Sequence, residues 1–319
     1  MPYLPESAYK IPHSIFKGSH LSTIYSGAVR RTEAPNYERK KITLSDGDFL
    51  LMDELILNPK KAVILCHGLE GNSRSGYNNT CAAYFLHHEF SVFAWNNRSC
   101  GGGMNILPQL YHHGSIEDLE FVINYVLTKG FEEIYLIGFS LGGAQILNYL
   151  GQKPVHTKVK AAVSISTPIN LKSSADKIEK GFSRVYLNRF MGRIKQKVLI
   201  KAEKFPDLIN AEKVQQIKTF DDLAENFLVP IHGFKNPKDF YTQASPITHL
   251  EYIRTPVLIL NAWDDPIIGE KGFPVKFAKS SKHVYLETPK YGGHCGFLLA
   301  KSNYTFSEVR ALAFFENLV

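Results

Sequence analysis

The pattern that most constrains this chain is a run of short apolar segments, each of strand length, separated by segments of helix length. Ala62 to Cys66 (AVILC), Ser91 to Trp95 (SVFAW), Glu133 to Ile137 (EIYLI) and Lys160 to Ile165 (KAAVSI) are continuous, rich in β-branched and aromatic residues, and read as strands buried on both faces. Between them, Tyr77 to His88, Ser115 to Thr128 and Leu141 to Tyr149 have helical character, the second with Ser115 as expected N-cap and Asp118 as an acid in its first turn. Neighbouring strands joined by helical crossovers run parallel, so the chain is of the α/β class, with a mostly parallel central sheet flanked by helices. Two further runs, Pro256 to Leu260 and Lys282 to Leu286, extend the sheet. Ahead of it, Tyr37 to Leu44 and Phe49 to Leu57 flank Ser45-Asp46-Gly47-Asp48 and predict an antiparallel hairpin.

The alternation breaks after Thr167-Pro168. From about Asn170 to about Thr248 the pattern is mainly helical, with Leu187, Phe190, Met191, Ile194 and Val198 three and four apart. A helical insertion into one domain accounts for this, giving core over 1–169, a cap or lid over 170–248 and core again over 249–319. Thr305 to Val319 reads as a C-terminal helix. The chain's 319 residues, 44% hydrophobic and 21% charged, are ample for one large core and too balanced for disorder.

Several classes are disfavoured. No apolar run approaches the roughly 18 residues of a membrane span. The segment Met1 to Lys17 lacks the continuous apolar stretch of a secretory signal, so a cytoplasmic location is expected. Four scattered cysteines, Cys66, Cys81, Cys100 and Cys295, make no disulfide framework or zinc spacing. Of the net charge of +7, much sits in Leu171 to Phe240, where 14 basic residues face 9 acidic ones. A mildly basic solvated surface explains this better than nucleic-acid binding, and no nucleic-acid partner is expected.

Chemistry enters at Gly138-Phe139-Ser140-Leu141-Gly142, a G-x-S-x-G between the strand EIYLI and the helix LGGAQILNYL. Strand, sharp turn and helix are the context in which that motif lifts a serine above a sheet as a nucleophile. A dinucleotide-binding turn is the competing reading, but the second glycine of G-x-G-x-x-G is replaced by Ser140, and no phosphate-binding G-x-x-x-x-G-K-[ST] occurs. A nucleophilic serine needs a base, and the base an orienting carboxylate, in the chain order serine, acid, histidine. Asp264-Asp265 follows the strand PVLIL and His294 lies in Gly292-Gly293-His294-Cys295-Gly296 beyond the strand HVYLE, both at strand C-termini where open α/β sheets bind ligands. Ser140, Asp265 and His294 are therefore the expected catalytic residues, with Asp264 the alternative acid or a brace for the loop. The backbone N–H groups of Leu141 and of Leu69, in His67-Gly68-Leu69-Glu70-Gly71 after the strand AVILC, are expected to form the oxyanion hole.

With these residues in place the chain resembles the α/β-hydrolase superfamily, in particular the YheT-like branch and its eukaryotic abhydrolase-domain lipase relatives. The resemblance is carried by Phe16-Lys17-Gly18-Ser19-His20-Leu21-Ser22-Thr23-Ile24, Leu44 to Phe49, the HGLEG loop, Asn97 to Gly102, Tyr111-His112-His113-Gly114 before Glu117-Asp118, GFSLGG, Pro230 to Phe234, Asn261 to Pro266 and GGHCGF. One departure is Asn97-Arg98-Ser99-Cys100, where the family often has Arg-Gly-Cys. The resemblance implies an α/β-hydrolase fold and a hydrolase that needs no cofactor or metal, acting on small-molecule or lipid esters with short- to medium-chain acyl groups. His112 and His113 are expected to be structural or to line the pocket. The basic amphipathic helix around Tyr186 to Lys201 reads first as part of a lid packed on the core with its charges in water, with peripheral membrane contact as the alternative. Two other functions remain open to this sequence: an acyltransferase that uses the same serine but passes the acyl group to an alcohol, and a non-catalytic binding protein of hydrolase shape.

Overall fold

A computed structural model describes residues 3–4, 6–30 and 32–317. Nine strands form one sheet in the order β1-β9-β8-β7-β6-β4-β5-β3-β2, where β1 is Tyr3–Leu4, β2 Glu38–Thr43, β3 Phe49–Leu55, β4 Lys61–Cys66, β5 Ser91–Asn96, β6 Glu133–Phe139, β7 Val159–Ile165, β8 Val257–Leu260 and β9 Val284–Glu287. Every neighbouring pair from β1 to β5 is parallel, and only β3 with β5 and β2 with β3 are antiparallel. The expected parallel sheet and N-terminal hairpin are both present.

Strand position follows composition. The central β4, KAVILC, is buried from Ala62 onward, whereas the edge strand β2, ERKKIT, contains no buried residue and carries charges that deter pairing with another edge. On one sheet face Ile64, Phe93, Leu136 and Ile259 pack against Leu119, Val122 and Ile146 of the flanking helices. On the other, Leu65, Ile137, Val163 and Leu258 meet Phe85, Leu312 and Phe315. The C-terminal helix spans Phe306–Glu316, capped by Thr305 and Glu308; the last two positions of the expected helix lie outside the described residues.

Between β7 and β8 the chain forms a succession of helices, the longest being Arg184–Lys204. Its Leu187, Met191, Ile194 and Val198 are buried in a third cluster with Tyr111, Leu141, Phe227, Phe240 and Ile267. This cluster seats the helical segment on the C-terminal ends of the strands. Lys201 adds a polar anchor from the same helix, its buried ammonium donating to the carbonyls of Asn105 and Leu107.

One sequence expectation is corrected. Ser115 precedes the helix Ile116–Thr128 but does not cap it: its hydroxyl accepts the His112 N–H at 2.9 Å and so closes the Tyr111–Gly114 loop. Asp118 is in the first turn as expected, yet its carboxylate is taken up by the Arg98 guanidinium, at 2.8 and 2.7 Å. The N-terminal segment includes the helix Ser19–Ile24.

Candidate active site

Ser140 stands between β6 and the helix Leu141–Gln152 with φ 53° and ψ −115°, a left-handed backbone that few non-glycine residues adopt. The turn is possible because the residues two positions before and after it, Gly138 and Gly142, lack side chains. A Cβ on Gly138 would lie 2.5 Å from the backbone of Gly142 and Gly143, and one on Gly142 would lie 2.3 Å from the Cys66 carbonyl oxygen. The Ser140 N–H donates to the Ile165 carbonyl at 2.8 Å, anchoring the turn to β7.

Asp265 and His294 come from the loops after β8 and β9. His294 Nδ1 lies 2.8 Å from Asp265 Oδ2, while the other carboxylate oxygen, Oδ1, accepts the N–H groups of Ile267 and Ile268 at 2.8 and 3.1 Å. The Asp265 side chain is fully buried and that of His294 is 10% exposed. An acceptor on Nδ1 leaves Nε2 as the free ring nitrogen of a neutral imidazole. Asp264 points elsewhere: its Oδ1 accepts the Gly293 N–H at 2.9 Å, bracing the histidine loop. Burial pushes the Asp264 carboxyl up to about 6, with the nearby Asp265 charge adding to the rise.

The histidine loop has a strained path, with Gly292, Gly293 and Cys295 all at positive φ. The N-terminal helix holds it. Thr23 Oγ1 accepts the His294 N–H at 2.9 Å while donating to the Ser19 carbonyl at 2.7 Å, and Ser166 Oγ accepts the Cys295 N–H at 2.8 Å. No chemical signature in the residues around Thr23 marks this role, although the segment FKGSHLSTI is among those that carry the family resemblance.

The HGLEG loop abuts the serine: a Cβ on Gly68 would sit 3.3 Å from Ser140 Cβ. His67 is fully buried, its Nδ1 2.7 Å from the Gly68 carbonyl, and its Nε2 accepts the Asn97 N–H at 3.0 Å. Burial lowers it to about 4, so it is neutral at physiological pH, with Nδ1 as the donor. Among the described residues, no acceptor takes up the backbone N–H of Leu69 or Leu141. Free donors on both sides of a half-buried serine suit an anion that forms there.

Ser140, His294, Leu69 and Leu141 line one cavity with empty space of about 940 Å³, mouth included. The rest of its wall is mainly apolar, including Leu110, Ala175, Ile194, Leu223 and Phe227. His112 and His113 also line it, and burial keeps both imidazoles neutral. Ser99 has φ 61°, a conformation that glycine takes without strain. Among the described residues no group of three or more metal-ligating side chains converges.

Comparison with known proteins gives a consistent picture. Residues 61–301 match the family model described as the alpha/beta hydrolase fold. YheT of Escherichia coli strain K12, an esterase by name, is 30% identical over 305 residues, covering 92% of this chain and 88% of its own. A monoacylglycerol lipase of Saccharomyces cerevisiae is 32% identical over 76% of this chain, which spans only 56% of the yeast protein. Phospholipase ABHD3 of Bos taurus is 30% identical over 82% of this chain and 66% of its own. Among solved structures, the esterase PF2001 of Pyrococcus furiosus superposes with a TM-score of 0.56 at 17% identity, over 89% of this chain and 90% of that one, a likeness of fold.

Proposed function

The chain belongs to the α/β-hydrolase fold family, and on that premise we propose that it is a carboxylic ester hydrolase working through Ser140, His294 and Asp265. The observation that carries the proposal is the 2.8 Å contact between His294 Nδ1 and Asp265 Oδ2, beside a serine strained into a nucleophile turn on the same cavity. Relatives named esterase, monoacylglycerol lipase and phospholipase support ester chemistry.

In this reading Asp265 accepts the Nδ1–H of His294 and so fixes the tautomer whose Nε2 is a base. Nε2 takes the Ser140 proton as Oγ attacks the ester carbonyl carbon. The carbonyl oxygen becomes an anion, which the N–H groups of Leu69 and Leu141 receive. Collapse breaks the bond to the alcohol oxygen, and the imidazolium returns its proton to that leaving group. Water, deprotonated by the same nitrogen, then attacks the acyl-serine and releases the acid. The substrate class follows from the wall of the cavity: an apolar lining favours the acyl chain of a lipid or a short- to medium-chain ester. Residues 170–248 act as a cap, supplying Leu171, Ala175, Ile194 and Phe227 to that wall.

The test is hydrolysis of a series of p-nitrophenyl esters from acetate to laurate, with Ser140→Ala as control. Turnover lost in the variant supports the proposal; turnover kept by a folded variant refutes it. Running the same series with added alcohol separates water from an alcohol as the acyl acceptor.

A further inference from the structure

Glu70 follows Leu69 in a tight turn closed by the Gly71 N–H donating to the Gly68 carbonyl at 3.0 Å. Its φ of 56° lies in the left-handed region, where the third residue of such a turn is ordinarily glycine. Glutamate at a glycine position calls for a reason, and its contacts supply one. Its N–H donates to the Tyr111 hydroxyl at 2.7 Å, and that hydroxyl lies 3.0 Å from Oε1. The Lys197 ammonium stands 2.9 and 2.8 Å from the two carboxylate oxygens, and Arg193 donates to the Glu70 carbonyl at 3.2 Å. The Glu70 side chain is 4% exposed, and that of Lys197 19%. Every polar group of residue 70 is thus held, partly by Tyr111 of the core and partly by the helix Arg184–Lys204.

The location matters as much as the contacts. Glu70 lines the cavity of Ser140 and is bonded directly to Leu69, whose N–H has no acceptor among the described residues. A carboxylate there without a counter-charge would oppose a second negative charge forming on the substrate, and a turn free to relax would turn the Leu69 N–H away. We propose that Lys197 and Glu70 are a positioning pair for the oxyanion hole: their ion pair holds the strained turn that presents the Leu69 N–H and cancels the Glu70 charge at the cavity. The inference rests on the serine-hydrolase reading above. It makes the helical segment over the sheet a working part of the catalytic apparatus, because the chain completes the hole only when Lys197 is docked.

The experiment compares wild type with Lys197→Met, Lys197→Arg, Glu70→Gln and the double variant Lys197→Met with Glu70→Gln, all in the full chain. Readouts are kcat and KM on p-nitrophenyl butyrate, inhibition by an alkylboronic acid, whose tetrahedral adduct needs the same N–H groups, and amide hydrogen exchange over residues 67–75. Lys197→Met should lower kcat about 10- to 100-fold with KM within twofold, weaken the boronic acid by a similar factor and raise exchange in the turn. Lys197→Arg should stay within a few-fold of wild type. The double variant should recover about tenfold over Lys197→Met, since the amide keeps a bond to Tyr111 and carries no charge.

Wild-type kcat in Lys197→Met, a loss confined to KM, or a double variant no better than the single one would overturn the inference. Should Lys197→Met not fold, Glu70→Gln decides alone: unchanged kcat and unchanged exchange would overturn it. Ser140→Ala judges the serine reading separately. If the wild type hydrolyses no ester, that reading fails, and the pair is judged by exchange, where an unaltered turn in Lys197→Met rejects it.

Discussion

Asp265 and His294 meet side chain to side chain at 2.8 Å across 29 residues, while the adjacent Asp264 turns to the backbone of Gly293. Two neighbouring carboxylates thus have different work, one facing an imidazole ring and the other holding the loop that carries it. Asp265→Asn should lower kcat about 10,000-fold, because an amide at this position favours the wrong imidazole tautomer. Asp264→Asn keeps an acceptor for Gly293 and should leave kcat within about tenfold of wild type. Steady-state kinetics on one ester separates the two, and comparable losses in both variants would contradict the assignment of roles.

Asp264 also bears on stability. Asp264 titrates at about 6 in the folded protein, above its ordinary value of 3.8, because burial opposes its charge. The native state therefore holds a proton that the unfolded chain has already released between about pH 4 and pH 6, so this residue's contribution to stability falls as pH rises through that window. Relative to wild type, Asp264→Asn should gain stability from pH 4 to pH 6 and keep a constant difference above it. Urea unfolding at half-unit pH steps measures this, and parallel stability curves would show the expected linkage to be missing.

Glycines of the nucleophile turn and of the long helix should respond in opposite directions. A Cβ on Gly142 meets the Cys66 carbonyl oxygen at 2.3 Å and the His67 carbonyl oxygen at 2.7 Å, both backbone atoms that cannot swing aside. Gly142→Ala should cost about 3 kcal/mol or more and disturb activity. Gly192, inside the helix Arg184–Lys204, has nothing within 4 Å of its Cβ position, so Gly192→Ala should add up to about 1 kcal/mol. Thermal melts of the two variants check the contrast.

Ala175 lies on the cavity wall and is 6% exposed. Ala175→Phe fills part of the apolar cavity and leaves Ser140 and His294 unaltered in sequence, so turnover of octanoyl esters should fall about tenfold more than turnover of acetyl esters. An equal loss on both would place the acyl chain elsewhere.

Much of this was legible from the chain alone, for identifiable reasons. AVILC and EIYLI announce buried parallel strands by lacking alternation, and G-x-S-x-G announces its turn because close backbone approach demands glycine at Gly138 and Gly142. Long-range partners outside the Ser140, Asp265 and His294 motifs were not legible. Thr23 supports the His294 N–H from 271 positions away, and Lys197 finds Glu70 across 127; neither residue carries a local pattern that names its partner. Ser115 misled because a serine ahead of a helix can bond backward to a loop as well as forward to the helix, and composition does not distinguish the two.

The proposed ester hydrolysis requires Ser140 to be an activated nucleophile. The most direct measurement is labelling of the full chain with a fluorophosphonate, with the adduct located by peptide mass spectrometry and His294→Ala and Asp265→Asn run alongside. A single adduct is expected on Ser140, forming far more slowly in both variants. An unlabelled Ser140 in folded wild type, or labelling at the same rate when His294 is removed, would contradict the proposal.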